Sequence, residues 1–323
     1  MHKVPVGVLG ASGYAGRELC GLIVRHPGLS LAFASANEQR GRRITIGGSE
    51  VTYVAAEDAQ LNEAEIVFTA LPHGTSAKWV GNARSTGVRV VDLSSDFRPG
   101  ASGERTNTPY GLTELMRKTI PGADIVANPG CYPTAILLAI APLLKSGWAT
   151  PASTINVSAA SGVTGAGYSP RPDLLFAEVA EDFRAYSVGN EHRHLAEMRA
   201  VASEIGGGEE VDILFTPHLL PVSRGILATI TVPIKEHMED PSALWKDCYS
   251  GEPFIEIADE PPSLRDVVRR NVVRMSVATA SNVRQPTLII ISAIDNLMKG
   301  AAGQAVQNAN VLLGLSEQAG LPA

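Results

Sequence analysis

Cysteine is scarce in this 323-residue chain, with three residues; aromatic side chains make up 5%, and basic charge is in deficit, the net charge being −6. Cys20, Cys131 and Cys248 are far apart and odd in number, which argues against a disulfide framework and for a reducing, cytoplasmic setting. The acidic balance gives no support to nucleic acid or an anionic membrane surface as a partner. No apolar run reaches the roughly 18 residues that a membrane-spanning helix needs, so no membrane partner is expected. The start, "MHKVPVGVLG", enters a strand-like run at once, and no signal or transit peptide is expected. What is present is an ordinary globular composition, 45% hydrophobic, in a chain long enough for two cores.

The texture changes along the chain. "VPVGVLGASGYAGRELCGLIVRHPG" reads as strand, glycine turn and helix. β-Branched residues come first, then Ala15, Leu19, Leu22 and Ile23 recur at helical spacing, and Pro27 and Gly28 stop the run. "LSLAFASA", "EIVFTALP", "VRVVDLSSDF" and "ADIVANPGC" read as further apolar strands, with helical segments between several of them. This alternation predicts an α/β fold, a Rossmann-type doubly wound parallel sheet over roughly the first 130 residues. After Cys131, "STINVSAASGVTGAG" and "VDILFTPHLLPVSRGILATITVPI" read as long strands without helices between them. They predict an α+β catalytic domain with a mostly antiparallel sheet. Cys20 and Cys248 read as structural thiols.

"GASGYAG" sets Gly10, Gly13 and Gly16 between a strand and a helix, the context of a dinucleotide-binding turn. The spacing is GxxGxxG rather than GxGxxG. The second strand ends in Ser35 and is followed by Arg40, Arg42 and Arg43, with Glu38 among polar and basic neighbours. A hydroxyl with arginines suits a 2′-phosphate, so NADP(H) is the expected cofactor, with Ser35 and Arg40 among its contacts.

"NPGCYPTAILLAIAPLL" holds the third cysteine between two prolines. Ile136, Leu137, Ile140, Leu143 and Leu144 repeat at three and four, Pro133 suits a first helical turn, and Pro129 and Gly130 bend the chain into it. Cys131 is thus expected at a helix N-terminus, where the partial positive charge stabilises thiolate. A thiolate needs a proton partner, and "GNEHRHLAEM" offers His192, His194 and Glu197. Two histidines two apart with a carboxylate also suit a metal, but further ligands are not evident and none is expected. An acid–base histidine positioned by a carboxylate is the better reading. Thiolate beside nicotinamide points to a thioester reduced by hydride.

Together these motifs resemble the N-acetyl-gamma-glutamyl-phosphate reductase family of arginine biosynthesis, within the aspartate-semialdehyde dehydrogenase-like superfamily. "GASGYAGREL", "LPHG", "DLSSDFR", "NPGCYPT", "HRHLAE", "SRGIL" and "AIDNLMKGAAGQAVQNANVLLG" follow in the family's order over almost the whole chain. The resemblance implies Cys131 as nucleophile and His192 or His194 as acid–base; His192 is favoured by analogy, with His194 then in substrate binding. It implies Arg98, Ser161, Tyr186, Glu197 and Arg224 around the substrate, and Gly10, Ser12, Gly13, Tyr14, Ala15, Gly16, Leu71, Pro72, Asn296 and Lys299 around the cofactor. It also implies a discontinuous cofactor domain (1–131 and 298–323) around a catalytic and oligomerisation domain (132–297). The implied partners are an acyl phosphate or semialdehyde, inorganic phosphate and further copies of the chain in a dimer or tetramer. There are departures: "RPGASGERTNTPYGLTEL" is short, Thr113 stands where relatives carry proline, and "RRNVVRMSV" lacks the usual small residues. Three rivals remain: a lysine-pathway aminoadipyl-phosphate reductase, an aspartate-semialdehyde dehydrogenase and a non-catalytic NADP-binding redox sensor.

Overall fold

The computed structural model describes residues 3–100, 108–149 and 153–323; much of the short stretch noted above, 101–107, lies outside them. The chain opens with β1 (Val4–Leu9), α1 (Tyr14–Arg25), β2 (Leu29–Ser35) and a hairpin of β3 (Arg43–Ile46) and β4 (Ser49–Thr52). There follow β5 (Ile66–Thr69), α2 (Ser76–Ser85), β6 (Arg89–Asp92), α3 (Thr113–Met116) and β7 (Ile125–Ala127). Next come α4 (Cys131–Ser146), β8 (Ile155–Gly162), α5 (Phe176–Val179), β9 (Arg184–Ala185), α6 (His194–Ile205), β10 (Ile213–Leu220) and β11 (Ile226–Pro233). Last are α7 (Pro241–Cys248), β12 (Ile255–Ile257), β13 (Val273–Thr279), β14 (Thr287–Ile294) and α8 (Gly303–Leu313). Two compact units result: Met1–Gly130 with Ala301–Ala323, and Cys131–Gly300.

The first unit holds a five-stranded sheet in the order β2-β1-β5-β6-β7, parallel throughout. Residues Ile66–Thr69 of β5 are all buried, as expected for a parallel strand covered on both faces. The chain goes from β1 outward to β2 and then to β5 on the other side. The C-terminal ends of β1 and β5 therefore flank the switch point, where such sheets bind ligands. Helix α8 belongs to this unit, and its buried amides explain its polar sequence. Gln304 and Asn308 donate to Gly111 O, both at 2.9 Å, and Gln307 donates to Glu114 at 2.9 Å. Thr113, the departure from the family's proline, is buried in this network: its hydroxyl donates to Asn308 (2.8 Å) and accepts from Gln304 (2.8 Å).

The second unit is built on a seven-stranded sheet in the order β12-β13-β14-β11-β8-β10-β9. Four of its six pairings are antiparallel, while β12–β13 and β8–β10 are parallel, so the sheet is mixed. Helix α4 differs from the amphipathic stripe that its spacing suggests, since every residue from Tyr132 to Leu143 is buried. Pro142 sits inside it and leaves Leu138 O without its helical donor. The Tyr249 hydroxyl supplies one instead at 2.5 Å, and Trp245 Nε1 donates to Ala139 O at 2.9 Å. Ser292 of β14 donates to Ala135 O at 2.9 Å. These bonds fasten the helix whose first residue is Cys131.

Candidate active site

In the first unit the glycine turn follows β1. Gly10 has φ +84°, and a Cβ there would stand 2.4 Å from Ala70 O and 3.3 Å from Leu71 Cδ2. The turn therefore lies against the residues after β5, which places Leu71 beside it. A Cβ on Gly16 would come within 2.2 Å of Gly10 O, so only glycine lets helix and turn close together. Gly13 caps α1 without a side-chain bond, and the first turn carries no acidic residue. Amide donors at the start of α1, where Ser12, Tyr14 and Ala15 also lie, thus suit a pyrophosphate. Substituting Gly16 by alanine is expected to weaken dinucleotide binding by more than about tenfold, measured by fluorescence titration.

Ser35 is buried, and its hydroxyl accepts from the Gly10 N–H at 3.4 Å, so it braces the turn. Tyr53 does the same from the other side, donating to Ala11 O at 3.2 Å; nothing in its local pattern marked it out. Arg40, Arg42 and Arg43 are exposed on the segment that follows β2.

The motifs "LPHG" and "DLSSDFR" interlock. Asp96 accepts the N–H groups of Gly74 (2.7 Å), Ser76 (3.0 Å) and Ala77 (3.2 Å), which caps α2. Buried Asp92 accepts from Thr69, from Ser76 at 2.5 Å and from Ser94 at 2.7 Å. Arg98 is buried, and its guanidinium donates to Asn128 O (2.8 Å) and Leu93 O (2.6 Å). Asn128 also donates to Ala301 O (3.2 Å) and accepts from Asn308 (3.0 Å). Arg98 and Asn128 hold the end of β7, three residues before Cys131.

In the second unit Cys131 opens α4. Its neighbour Tyr132 points into a cluster drawn from four elements. The Tyr132 hydroxyl lies 3.0 Å from that of Tyr186 and is hydrogen-bonded to Ser161 at the end of β8. Its ring stands edge-on to His192 (5.4 Å), His194 (6.1 Å) and Phe215 of β10 (5.0 Å). The two histidine rings are 4.9 Å apart, and Tyr186 is 5.7 Å from His192. Asn190, at φ 65°, fastens this segment to β10 by donating to Ile213 O (3.1 Å) and accepting from Phe215 N (2.7 Å). His194 and Glu197 are buried in the first turn of α6. The structure thus gathers Ser161, Tyr186, His192 and His194, and adds Tyr132, which sequence reasoning missed. A phenol inside an otherwise apolar helix was the available signal.

The electrostatics of the cluster are dominated by burial. Burial raises Tyr132 strongly, with the charges of Tyr186 and Cys131 adding to it. Burial pushes Tyr186 up to about 12, so both phenols stay protonated at neutral pH. Burial, and next the Arg193 cation, lower His192 to about 4, so its imidazole is neutral there.

The remaining predicted residues meet around Asp295, whose carboxylate is fully buried. It accepts from Arg224 (3.3 Å) and from the backbone N–H groups of Arg269 (2.7 Å), Leu297 (2.7 Å) and Met298 (3.1 Å). Asn296 accepts from Gly225 N (2.7 Å) and donates to Thr164 (3.0 Å). Lys299 is fully buried, with Nζ 5.5 Å from the Phe254 ring centre. A Cβ on Gly300 would lie 2.8 Å from Cys131 Cβ, so this turn backs directly onto the thiol-bearing residue.

Two family descriptions match the chain: "Semialdehyde dehydrogenase, NAD binding domain" over residues 5–123 and "Semialdehyde dehydrogenase, dimerisation domain" over 131–296. A relative from Dehalococcoides mccartyi strain 195, named N-acetyl-gamma-glutamyl-phosphate reductase, is 38% identical over 100% of this chain and 98% of its own. One of the same name from Pelobacter propionicus is 40% identical over 98% of this chain and 97% of its own. Among solved structures, aspartate semialdehyde dehydrogenase II from Vibrio cholerae, complexed with ASA, superposes with TM-score 0.80 at 21% identity, covering 97% of this chain and 99% of that one. This last likeness concerns the fold.

Proposed function

Because the chain belongs to the semialdehyde dehydrogenase family, and within it to the N-acetyl-gamma-glutamyl-phosphate reductases, we propose that it reduces N-acetyl-L-glutamyl 5-phosphate to the 5-semialdehyde through a Cys131 thioester, in arginine biosynthesis. The enzyme is an oxidoreductase with a nicotinamide-dinucleotide-binding domain. The observation that carries the reading is the thiol at the first residue of α4, next to Tyr132, which packs with Tyr186, His192 and His194.

The glycine cradle with Leu71 would hold the dinucleotide. The absence of a carboxylate on Ser35 at the end of β2, and the arginines after it, support NADP over NAD. When bound there, the reduced cofactor supplies a hydride. The chain's residues do the rest. Cys131 thiolate attacks the acyl carbon, the C–O bond to phosphate breaks, and inorganic phosphate leaves with the electron pair. The amide donors at the start of α4 suit the oxyanion that develops on the acyl oxygen. Cys131 holds the product at the aldehyde level as a thiohemiacetal, and collapse with loss of the hydroxyl proton frees semialdehyde and thiolate. Tyr186 and Ser161, tied through Tyr132, line the substrate, and Arg224, oriented by Asp295, suits its carboxylate. The reading includes a homo-oligomer, supported by the match to a dimerisation domain. Among the described residues no helix is long and apolar enough to cross a membrane.

Mass spectrometry tests the thioester. Incubation with the acyl phosphate in the absence of cofactor is expected to leave an acetyl-glutamyl adduct on the Cys131 peptide, labile to hydroxylamine. An adduct elsewhere, or none under rapid quench with an enzyme that turns over, contradicts the assignment.

A further inference from the structure

The backbone distinguishes the two nitrogens of His192. The His194 backbone nitrogen lies 3.1 Å from His192 Nδ1 and donates to it. That N–H opens α6, where the first-turn amides have no helical acceptor, and the preceding side chain supplies one. A backbone N–H only donates. Nδ1 must therefore present its lone pair, and the neutral ring carries its proton on Nε2. An imidazolium would set two N–H groups head to head and lose the bond.

The surroundings act in the same direction. Tyr132 from α4, Tyr186 from the segment before and His194 from α6 bring rings that are uncharged when neutral, and Phe215 from β10 brings none that titrates. Arg193 next to it is a cation, which opposes a second positive charge. The acidic member of the motif, Glu197, stands five residues on in the first turn of α6, and among the described residues the one charge that acts on His192 is the Arg193 cation.

We propose that His192 serves the reaction as a neutral Nε2–H hydrogen-bond donor, to the acyl oxygen as it gains charge, and is not the base that takes the Cys131 proton. Proton transfer then falls to His194. The donor's target rests on the function proposed above; the tautomer does not.

Two measurements on the full chain test this. Nitrogen-15 NMR of the imidazoles should show His192 with bare Nδ1 and protonated Nε2 from about pH 5.5 to 8.5. The opposite tautomer, or an imidazolium at neutral pH, overturns the inference. In the steady state, His192→Gln keeps a donor near the Nε2 position without a titrating group. Its kcat/KM should stay within about tenfold of wild type with the pH profile unchanged, while His192→Ala loses on the order of 10²–10³-fold. Equal losses in both variants, or a pH limb that vanishes in His192→Gln, overturn it. If wild type turns over no semialdehyde at all, the proposed function fails, and the spectrum still decides the tautomer.

Discussion

Replacing Cys131 by alanine should abolish turnover, by a factor on the order of 10⁴ or more, while dinucleotide binding stays within about twofold of wild type. The separation follows from the architecture. Cys131 belongs to the second unit, and the glycine cradle to the first. No other thiol replaces it. Burial in the α1 core pushes Cys20 up to about 12, and burial likewise raises Cys248. Both stay protonated where a thiolate at a helix N-terminus ionises, so iodoacetamide near pH 8 should label Cys131 and spare Cys20. Activity remaining above about 1% in the alanine variant would remove the covalent mechanism.

Asp295→Ala should destabilise the protein by about 3–5 kcal/mol, because it removes the acceptor of three buried backbone N–H groups and the carboxylate that faces the half-buried Arg224 cation. For a unit of this size that corresponds to a fall in melting temperature of roughly 10 °C by calorimetry. Asp295→Asn keeps one acceptor oxygen and should lose less. Activity should fall further than stability in both. The same turn places Gly300 against Cys131 and aims Arg224, so relaxing it moves Cys131 and Arg224 together, the two residues proposed as nucleophile and substrate cation. An alanine variant with an unchanged melting point would show that Asp295 does not hold this turn.

What the sequence made legible was local. The strand–glycine–helix pattern identified the cofactor sheet, the proline-flanked cysteine identified the helix it opens, and the long apolar runs identified β8, β10 and β11, although α5 and α6 stand between β8 and β10 where no helix was expected. What has no local trace depends on distant partners. Spacing in α4 suggested one apolar face, yet the helix is buried all round because the sheet, α6 and α7 enclose it. Tyr132 is 29 residues from Ser161 and 54 from Tyr186, so its bridging role has no local trace. Arg98 was expected at the substrate; at least two of its nitrogens bond Leu93 O and Asn128 O, a role set by tertiary contact. Asn296 was expected at the cofactor, and both ends of its amide bond Gly225 and Thr164. Asp295, one residue earlier, accepts from Arg224 and from three backbone N–H groups, a role with no local trace.

The most direct test is the reverse reaction of the purified protein. N-acetyl-glutamate semialdehyde, inorganic phosphate and NADP should give phosphate-dependent NADPH, with much slower reaction when NAD, aspartate semialdehyde or an aminoadipate semialdehyde analogue is substituted. Turnover confined to one of the other semialdehydes would keep the Cys131 chemistry and contradict the substrate; stoichiometric NADP binding with no turnover on any of them would contradict the enzyme.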